Sequence, residues 1–174
     1  MVRRLCGLVL VSVLTLLSGC SPAFNWREVA IGNTRLLAMF PCKPETAQQR
    51  VSMADQEVAL TMRSCKAGGV TLAVGHARLT KVTDKARVLA RWRDATLASM
   101  GAEPASISAV APSRLQPLPD LVAVRANGTS PGGSPVLLQG LWFAQDSDVF
   151  SALLVAGKVS ADDEESFFSG LRFR

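Results

Sequence analysis

The sequence predicts an α+β fold, in which strand-rich stretches lie on both sides of a central helix and a second helix lies near the C-terminus. Alternating apolar residues before position 80 indicate strands, and an amphipathic stretch between positions 83 and 101 indicates the central helix. Three apolar runs separated by polar turns follow position 120. The chain has 174 residues, a 48% hydrophobic content and 4 cysteines. This composition is typical of one globular domain rather than of a disordered or disulfide-stapled chain.

The first half of the chain contains five strand-like runs, which are Trp26–Ile31, Arg35–Phe40, Thr46–Met53, Val58–Cys65 and Val70–Leu79. The turn between the first two begins at Gly32, where a glycine allows the positive φ that a tight hairpin needs. Residues 54–57 predict the turn of a second hairpin, and the glycines at 68 and 69 predict the turn before the fifth strand. We therefore expect two β-hairpins and a further strand before the helix.

The central helix has a signal at each end. Thr83 is a candidate N-cap, the helix is expected to reach Met100, and Gly101 ends it. On a helical wheel, one stripe contains Ala86, Leu89, Trp92, Thr96, Leu97 and Met100, and the opposite side contains Asp84, Arg87, Arg91 and Asp94. The first stripe predicts the buried face, so Trp92 is interpreted as a core residue.

After the helix the sequence predicts a short run (Ser106–Ala111), a proline-spaced segment (Pro112–Pro119) and the strands Leu121–Ala126, Val136–Ala144 and Val149–Ala156. Polar connections such as residues 145–148 favour an antiparallel meander of these three strands. Ser160 is a candidate N-cap of the last helix, with Asp163 in the capping-box position. Gly170 ends this helix, and residues 171–173 are expected to return to the sheet or its edge.

The N-terminus carries the pattern of a secretory signal. Arg3 and Arg4 precede an apolar run from Leu5 to Leu17, and small residues follow this run. The run has 13 residues, which is too short for a helix that crosses about 30 Å of hydrocarbon. A permanent transmembrane helix is therefore the weaker interpretation.

The end of this segment, Leu17-Ser18-Gly19-Cys20, resembles the lipobox of bacterial lipoproteins. The resemblance implies residues 1–19 as the signal peptide and Cys20 as the anchor. The residues up to 25 show no periodicity, so residues 20–25 are expected to form the anchor and tether and residues 26–174 one folded domain. Acyl chains on Cys20 would hold this domain on a bilayer, facing the periplasm. Ser21 stands where aspartate usually retains such lipoproteins in the inner membrane, which favours the outer membrane. The alternatives are a secreted protein whose Cys20 merely follows the cleavage site, and an uncleaved signal anchor.

The remaining cysteines are expected to pair. Cys6 leaves with the signal peptide and Cys20 carries lipid, so Cys42 and Cys65 are the two thiols left in an oxidising compartment. We expect a structural disulfide between them. A redox-active pair is the weaker alternative, because the C-x-x-C spacing typical of such pairs is missing.

The order of the elements, the segment Phe40-Pro41-Cys42-Lys43-Pro44 and the closing segment Ser166–Phe173 resemble the PsbP-like (DcrB-like) fold of small envelope lipoproteins. The resemblance covers most of the mature chain. It implies a twisted antiparallel β-sheet with helices packed on its faces, which is a layered sandwich. Members of this fold are generally non-catalytic accessory or interaction proteins, so the resemblance assigns a reaction to no residue.

Sequence motifs for catalysis and metal binding are missing. His76 is the single histidine, and a lone imidazole does not build a metal site. His76 shares strand parity with Val70, Leu72 and Val74, which favours a position in or beside the core. The alternative is a hydrolase-type enzyme that uses His76 as its base. The acidic run Asp162–Glu165 is interpreted as the first turn of a helix rather than as a calcium loop.

Basic residues concentrate in the stretch 78–93. We interpret them as a solvated helix face with ion pairs between Asp84 and Arg87 and between Arg91 and Asp94. The alternative is contact with anionic lipid headgroups. Nucleic acid is disfavoured as a partner by the expected compartment.

These observations predict an accessory lipoprotein that is not an enzyme and needs no cofactor or metal. Its folded domain is expected to bind another, unknown envelope protein, and its contact with the membrane is expected through the lipid on Cys20. The chain has no tyrosine, and burial explains the positions of Trp26, Trp92 and Trp142. This weakens the case for a sugar-binding surface, which usually presents exposed aromatic rings.

Overall fold

A computed structural model describes residues 24–81, 84–103, 107–109, 118 and 120–174. Ten strands and two helices lie within these residues. The strands are β1 (Arg27–Ala30), β2 (Leu36–Phe40), β3 (Glu45–Met53), β4 (Gln56–Ala67), β5 (Val70–Arg78), β6 (Ser108–Ala109), β7 (Val122–Thr129), β8 (Pro135–Gln145), β9 (Asp148–Ala156) and β10 (Arg172–Phe173). The helices are α1 (Lys85–Ser99), between β5 and β6, and α2 (Ala161–Ser169), between β9 and β10. The predicted α+β fold class is confirmed.

The strands form two antiparallel sheets. The large sheet has seven strands in the order β3-β4-β5-β9-β8-β7-β6, and the small sheet has three in the order β1-β2-β10. Within the large sheet, β5 pairs with β9 from Val70↔Ala156 to Arg78↔Asp148. This central pairing joins the early meander β3-β4-β5 to the late meander β7-β8-β9, which confirms the predicted late meander.

The small sheet and α2 cover one face of the large sheet, which we call the sealed face. Its core is rich in phenylalanine, because apolar residues of β2, β8, β9 and α2 all point into this layer. Phe143 and Phe150 stack with their ring centroids 5.3 Å apart, and Phe40 meets Phe167 edge-on at 6.2 Å. All four side chains are buried, so this layer excludes water.

Helix α1 covers part of the opposite face, which we call the helix face. Its buried side chains are Val88, Leu89 and Leu97. They pack with apolar residues of the large sheet, among them Trp142, which is completely buried. Of the predicted stripe, Trp92, Thr96 and Met100 are half-buried, whereas Ala86 is exposed. The prediction of a buried Ala86 is therefore wrong, because α1 contacts the sheet along a narrower strip than the helical wheel indicates.

A disulfide ties the two sheets together on the sealed face. It joins Cys42, which follows β2, to Cys65 of β4, with Cα atoms 5.9 Å apart, and so confirms the predicted pairing. Phe24 and Asn25, which the sequence placed in the tether, also contact this region. The N–H of Asn25 donates to the carbonyl of Pro41 at 2.8 Å, and the Phe24 ring lies over Gly68 in the turn after β4.

The structure corrects the predicted N-cap of α1 and confirms that of α2. Asp84, not Thr83, is the N-cap of α1, because the Asp84 carboxylate accepts a hydrogen bond from the N–H of Arg87 at 3.1 Å. Ser160 caps α2 as predicted, since its hydroxyl accepts from the N–H of Asp163 at 3.1 Å. The predicted signal peptide, the predicted acylation site Cys20 and most of the segment Pro112–Pro119 lie outside the described residues.

Candidate functional site

A groove of about 670 Å³ lies on the helix face, between α1 and the β3–β4 hairpin. Its lining residues, which define the α1 groove, are Val51, Ser52, Met53, Ala54, Asp55, Leu60, Lys81, Asp84, Arg87, Val88, Arg91, Trp92 and Ala95. The floor is apolar and the rim is charged. This volume lies within the range of about 300–1,000 Å³ that is usual for binding sites in proteins.

The groove exists because the β3–β4 hairpin extends beyond the part of the sheet that α1 covers. Two residues, Ala54 and Asp55, close the hairpin with φ angles of 52° and 58°, as a type I′ turn requires. The pairs Met53↔Gln56 and Val51↔Val58 continue the ladder up to this turn. Val51 and Met53 consequently lie half-buried at the open end of the core.

Gln56 fixes the backbone at Thr80 and Lys81, where the chain reaches the rim of the α1 groove. Its side-chain oxygen accepts hydrogen bonds from the backbone N–H of Thr80 at 2.6 Å, from the Thr80 hydroxyl at 2.8 Å and from the N–H of Lys81 at 3.2 Å. Gln56 is buried, so these bonds satisfy its side-chain oxygen, which burial would otherwise penalise, whereas its amide nitrogen has no partner among the described residues. They hold Lys81 beside the hairpin.

Trp92 forms the inner wall of the α1 groove because β5 carries a glycine beneath it. A Cβ atom added to Gly75 would lie 2.9 Å from Cζ2 of Trp92 and 2.7 Å from Sδ of Met62. Such contacts are too short for real side chains, so only glycine lets the indole approach the sheet here. Trp92 packs against the core as predicted, but it also borders the groove.

The rim of the groove has a net positive charge, with three basic and two acidic side chains. Arg87 pairs with Asp84 at 3.6 Å, as predicted. Asp94 pairs with Arg93 at 2.7 Å instead of with Arg91, which corrects the second predicted pair. Within the part of the chain that the structure describes, neither Arg91 nor Lys81 has an ion pair. The rim therefore offers two cations and one carboxylate, that of Asp55, to a ligand.

His76, the candidate base of the alternative hydrolase, is hydrogen-bonded to a carboxylate at the edge of the sealed face. Its Nε2 lies 2.8 Å from Oδ1 of Asp148, and its ring stacks on Phe150 with centroids 5.2 Å apart. Arg78 donates to both oxygens of Asp148, at 3.0 and 2.8 Å. The cross-strand pairs His76↔Phe150 and Arg78↔Asp148 of β5 and β9 create this cluster.

Burial acts to raise the pKa of the Asp148 carboxyl, but the hydrogen bonds from Arg78 and His76 outweigh it and hold that pKa below its ordinary value. The other nitrogen of His76 faces the β1–β2 turn, since a Cβ on Gly32 would lie 3.6 Å from Nδ1. In the described residues, no serine or cysteine is hydrogen-bonded to the ring. The cluster ties β5 to β9 and supports the small sheet.

The predicted acidic turn is confirmed as the start of α2, with Asp162, Asp163 and Glu164 in its first turn. Glu164 accepts hydrogen bonds from Arg125 of β7 at 2.6 Å and from Gln139 of β8 at 2.9 Å. These bonds attach α2 to the large sheet. The described ranges hold no group of three or more potential metal ligands among His, Cys, Asp and Glu.

Sequence reasoning missed Gln56, Asp148 and the groove itself. It placed both residues in four-residue turns, but each turn has only two residues, and Gln56 and Asp148 begin the next strands. The position of Asp148 is predictable from strand alternation. Asp148 lies two residues before Phe150, so both side chains point to the sealed face. The groove depends on where α1 crosses the sheet, which no local pattern encodes.

No helix in the described portion of the chain is long and apolar enough to span a bilayer. No family model, no curated protein and no solved structure matches this chain.

Proposed function

We propose that this chain is a lipid-anchored accessory protein of the bacterial cell envelope that binds another envelope protein and catalyses no reaction. The α1 groove is the observation that carries this proposal, because it joins an apolar floor to a rim with two unpaired cations. Apolar surface supplies affinity, and rim charges supply orientation and partner choice. The lipobox-like segment and the disulfide support the envelope as the compartment.

The anchor is tested by labelling. Cells that express the full chain are fed an alkyne analogue of palmitate, and the labelled protein is detected after gel electrophoresis. The native chain should carry label, whereas Cys20→Ser should remain an unlabelled precursor. Equal labelling of both chains would refute the lipid anchor. Cys6→Ser is the matched control and should label like the native chain.

The binding function is tested with two alanines on the exposed side of α1. Ala95 lines the α1 groove and Ala98 does not, and both side chains are exposed. Arginine is nearly as good a helix former as alanine, so Ala95→Arg obstructs the groove without disturbing the helix. After crosslinking in intact cells, the native chain and Ala98→Arg should capture the same protein, and Ala95→Arg should lose it. Equal capture by both variants would show that the groove is not the binding site.

The alternative function, hydrolysis with His76 as base, is favoured by the hydrogen bond between His76 and Asp148. A hydrolase of this kind needs the second imidazole nitrogen within reach of a nucleophile, and here that nitrogen faces Gly32. We expect the purified full chain to hydrolyse a p-nitrophenyl ester no faster than His76→Ala. A clear loss of turnover in His76→Ala would favour the enzyme instead.

A further inference from the structure

Strand β3 forms one end of the large sheet, and among the described residues one of its two edges is open. It pairs with β4 over nine residue pairs, and no described strand lies on its other side. Residues 45–50 are all exposed. We propose that β3 accepts an extended segment of the partner protein as an additional antiparallel or parallel strand, and that this segment places alternate side chains in the α1 groove. This inference rests on the proposed binding function and specifies how the partner is held.

The backbone of β3 has free hydrogen-bonding groups at alternate residues. In an antiparallel ladder closed by a two-residue turn, the pair next to the turn is hydrogen-bonded, and every second pair is not. Met53↔Gln56 is the pair next to the turn. Counting from it, Thr46, Gln48, Arg50 and Ser52 direct their N–H and C=O groups away from β4. An added strand would satisfy these groups, as in other complexes formed by strand addition.

The edge lacks the usual protection against such pairing. Exposed edge strands are commonly short, bulged, interrupted by proline or rich in charge. β3 has nine residues in continuous register with β4, contains no proline, and carries only Glu45 and Arg50 as charged residues. A long, regular edge of this kind is well suited to pair with another strand.

The α1 groove lies directly beside this edge. Val51 and Met53 of β3 line the groove, while the opposite wall belongs to α1. Side chains of an added strand would alternate between the two faces of the sheet, so those on the helix face would lie beside Val51 and Met53. We therefore expect apolar residues at these positions of the partner segment.

The charge of the groove rim indicates which charged residues the partner segment carries. Arg91 and Lys81 border the groove together with one carboxylate, that of Asp55, while Arg50 lies on the side of β3 away from α1. Among the described residues none of these three cations has an ion pair. On the rim, Arg91 and Lys81 outnumber the single unpaired carboxylate. A segment with acidic residues would complement this net positive charge, whereas a second copy of this chain would bring two rims of the same net charge together. The expected partner is thus an extended segment of another protein with apolar and acidic residues.

The test uses Gln48, whose N–H faces outward. Proline is tolerated on edge strands where the N–H faces solvent, so Gln48→Pro removes one outward donor and leaves the ladder with β4 intact. Gln48→Ala is the matched control, because it removes the side chain and keeps the N–H. The full chain carries a photoreactive benzophenone residue in place of Gln49 and is irradiated in intact cells. Gln48→Pro should reduce the crosslinked protein adduct about five- to tenfold, and Gln48→Ala should leave it unchanged.

A second measurement does not depend on how Gln48→Pro folds. Thr46 and Gln48 share strand parity and project on the side of β3 away from α1. A benzophenone at either position contacts the partner only if the partner runs along the edge of the sheet. Adducts at these two positions, with a crosslinked segment that contains apolar and acidic residues, would support strand addition.

Other outcomes would overturn the inference and separate it from the proposed function. Capture that is lost in Ala95→Arg but kept in Gln48→Pro, without adducts at Thr46 and Gln48, would leave a groove-binding protein and refute strand addition. Adducts that contain only a second copy of this chain would refute the inference that the partner is a different protein. A benzophenone in place of Ala95 probes the α1 groove itself. The absence of protein adducts from this position and from Gln49, Thr46 and Gln48 would refute both proposals.

Discussion

The sealed face and the helix face of the large sheet differ in how completely they exclude water. On the sealed face, Phe143 and Phe150 are 0% and 1% exposed, and a disulfide fastens the covering layer. On the helix face, Val51, Met53 and Trp92 stay half-buried beside the α1 groove. A single helix is narrower than a sheet of seven strands, so α1 cannot cover the β3–β4 hairpin as well. The comparison indicates that the sealed face supplies stability while the helix face leaves apolar surface available.

The largest expected effect comes from breaking the sealed face. Phe143→Ala removes a fully buried ring that stacks on Phe150, and we expect a loss of about 3–5 kcal/mol in the free energy of unfolding. Met53→Ala, at the half-buried edge of the groove, should cost less than about 1.5 kcal/mol. Urea denaturation measures both. Equal losses for the two variants would contradict the proposed difference between the faces.

Removal of the disulfide should be the next largest effect. The bridge between Cys42 and Cys65 spans 23 residues, and a loop of this size corresponds to about 3 kcal/mol of stabilisation. The double variant Cys42→Ala, Cys65→Ala should melt at a lower temperature and still capture the partner, because the bridge lies on the sealed face. Mass spectrometry of the unreduced protein checks the pairing, and two alkylatable thiols would refute it.

Asp148 should make stability depend on pH. Its pKa is held below the ordinary value in the folded state, so its contribution is complete above about pH 4 and is lost as the pH falls through the folded-state pKa. Asp148→Asn should cost about 1–3 kcal/mol at pH 7, because Arg78 and His76 lose a charged acceptor. The cost should shrink in acid, as urea midpoints at pH 7 and pH 3 would show. Asp55→Asn, at the exposed hairpin tip, is the control and should change neither midpoint appreciably.

The smallest expected effect concerns the turn between β3 and β4, on the helix face. Ala54 and Asp55 adopt φ angles of 52° and 58°, which cost a residue with a side chain about 1 kcal/mol each. Replacement by Asn-Gly, the sequence that a type I′ turn prefers, should raise the free energy of unfolding by up to about 1 kcal/mol. The same change at Gly68 and Gly69, where glycine already has positive φ, offers no such gain. A loss of stability in the Asn-Gly variant would refute the assigned turn.

Local patterns predicted the elements well where a residue has a specific backbone role. Gly32, Ser160 and Gly170 mark turns or helix ends in the sequence, and each lies where it was expected. The turns at Ala54 and Asp146 were predicted too long, because these non-glycine residues adopt positive φ without a glycine to indicate it. The predicted turns therefore include Gln56 and Asp148, which belong to the strands β4 and β9.

The separation into two sheets could not be predicted from periodicity. β10 pairs with β2 through only Arg172↔Leu37 and Phe173↔Leu36, and this contact joins opposite ends of the chain. Alternation of apolar residues reveals that a strand has two faces but not which strand lies beside it. The candidate groove was missed for the same reason, since it depends on the position of α1 over β3 and β4.

The contact of Phe24 with Gly68 has a consequence for how an anchored domain would sit on a membrane. With the lipid on Cys20, as proposed, four residues lead to Phe24, and they span at most about 14 Å. Gly68 follows β4 directly, and the 12 residues of β4 lead from there back to the hairpin tip. The tether would hold the turn at Gly68 beside the bilayer, while the hairpin tip at one end of the groove lies about 36 Å from that turn along β4. A partner in the same membrane would therefore meet the open edge of β3 at a high effective concentration.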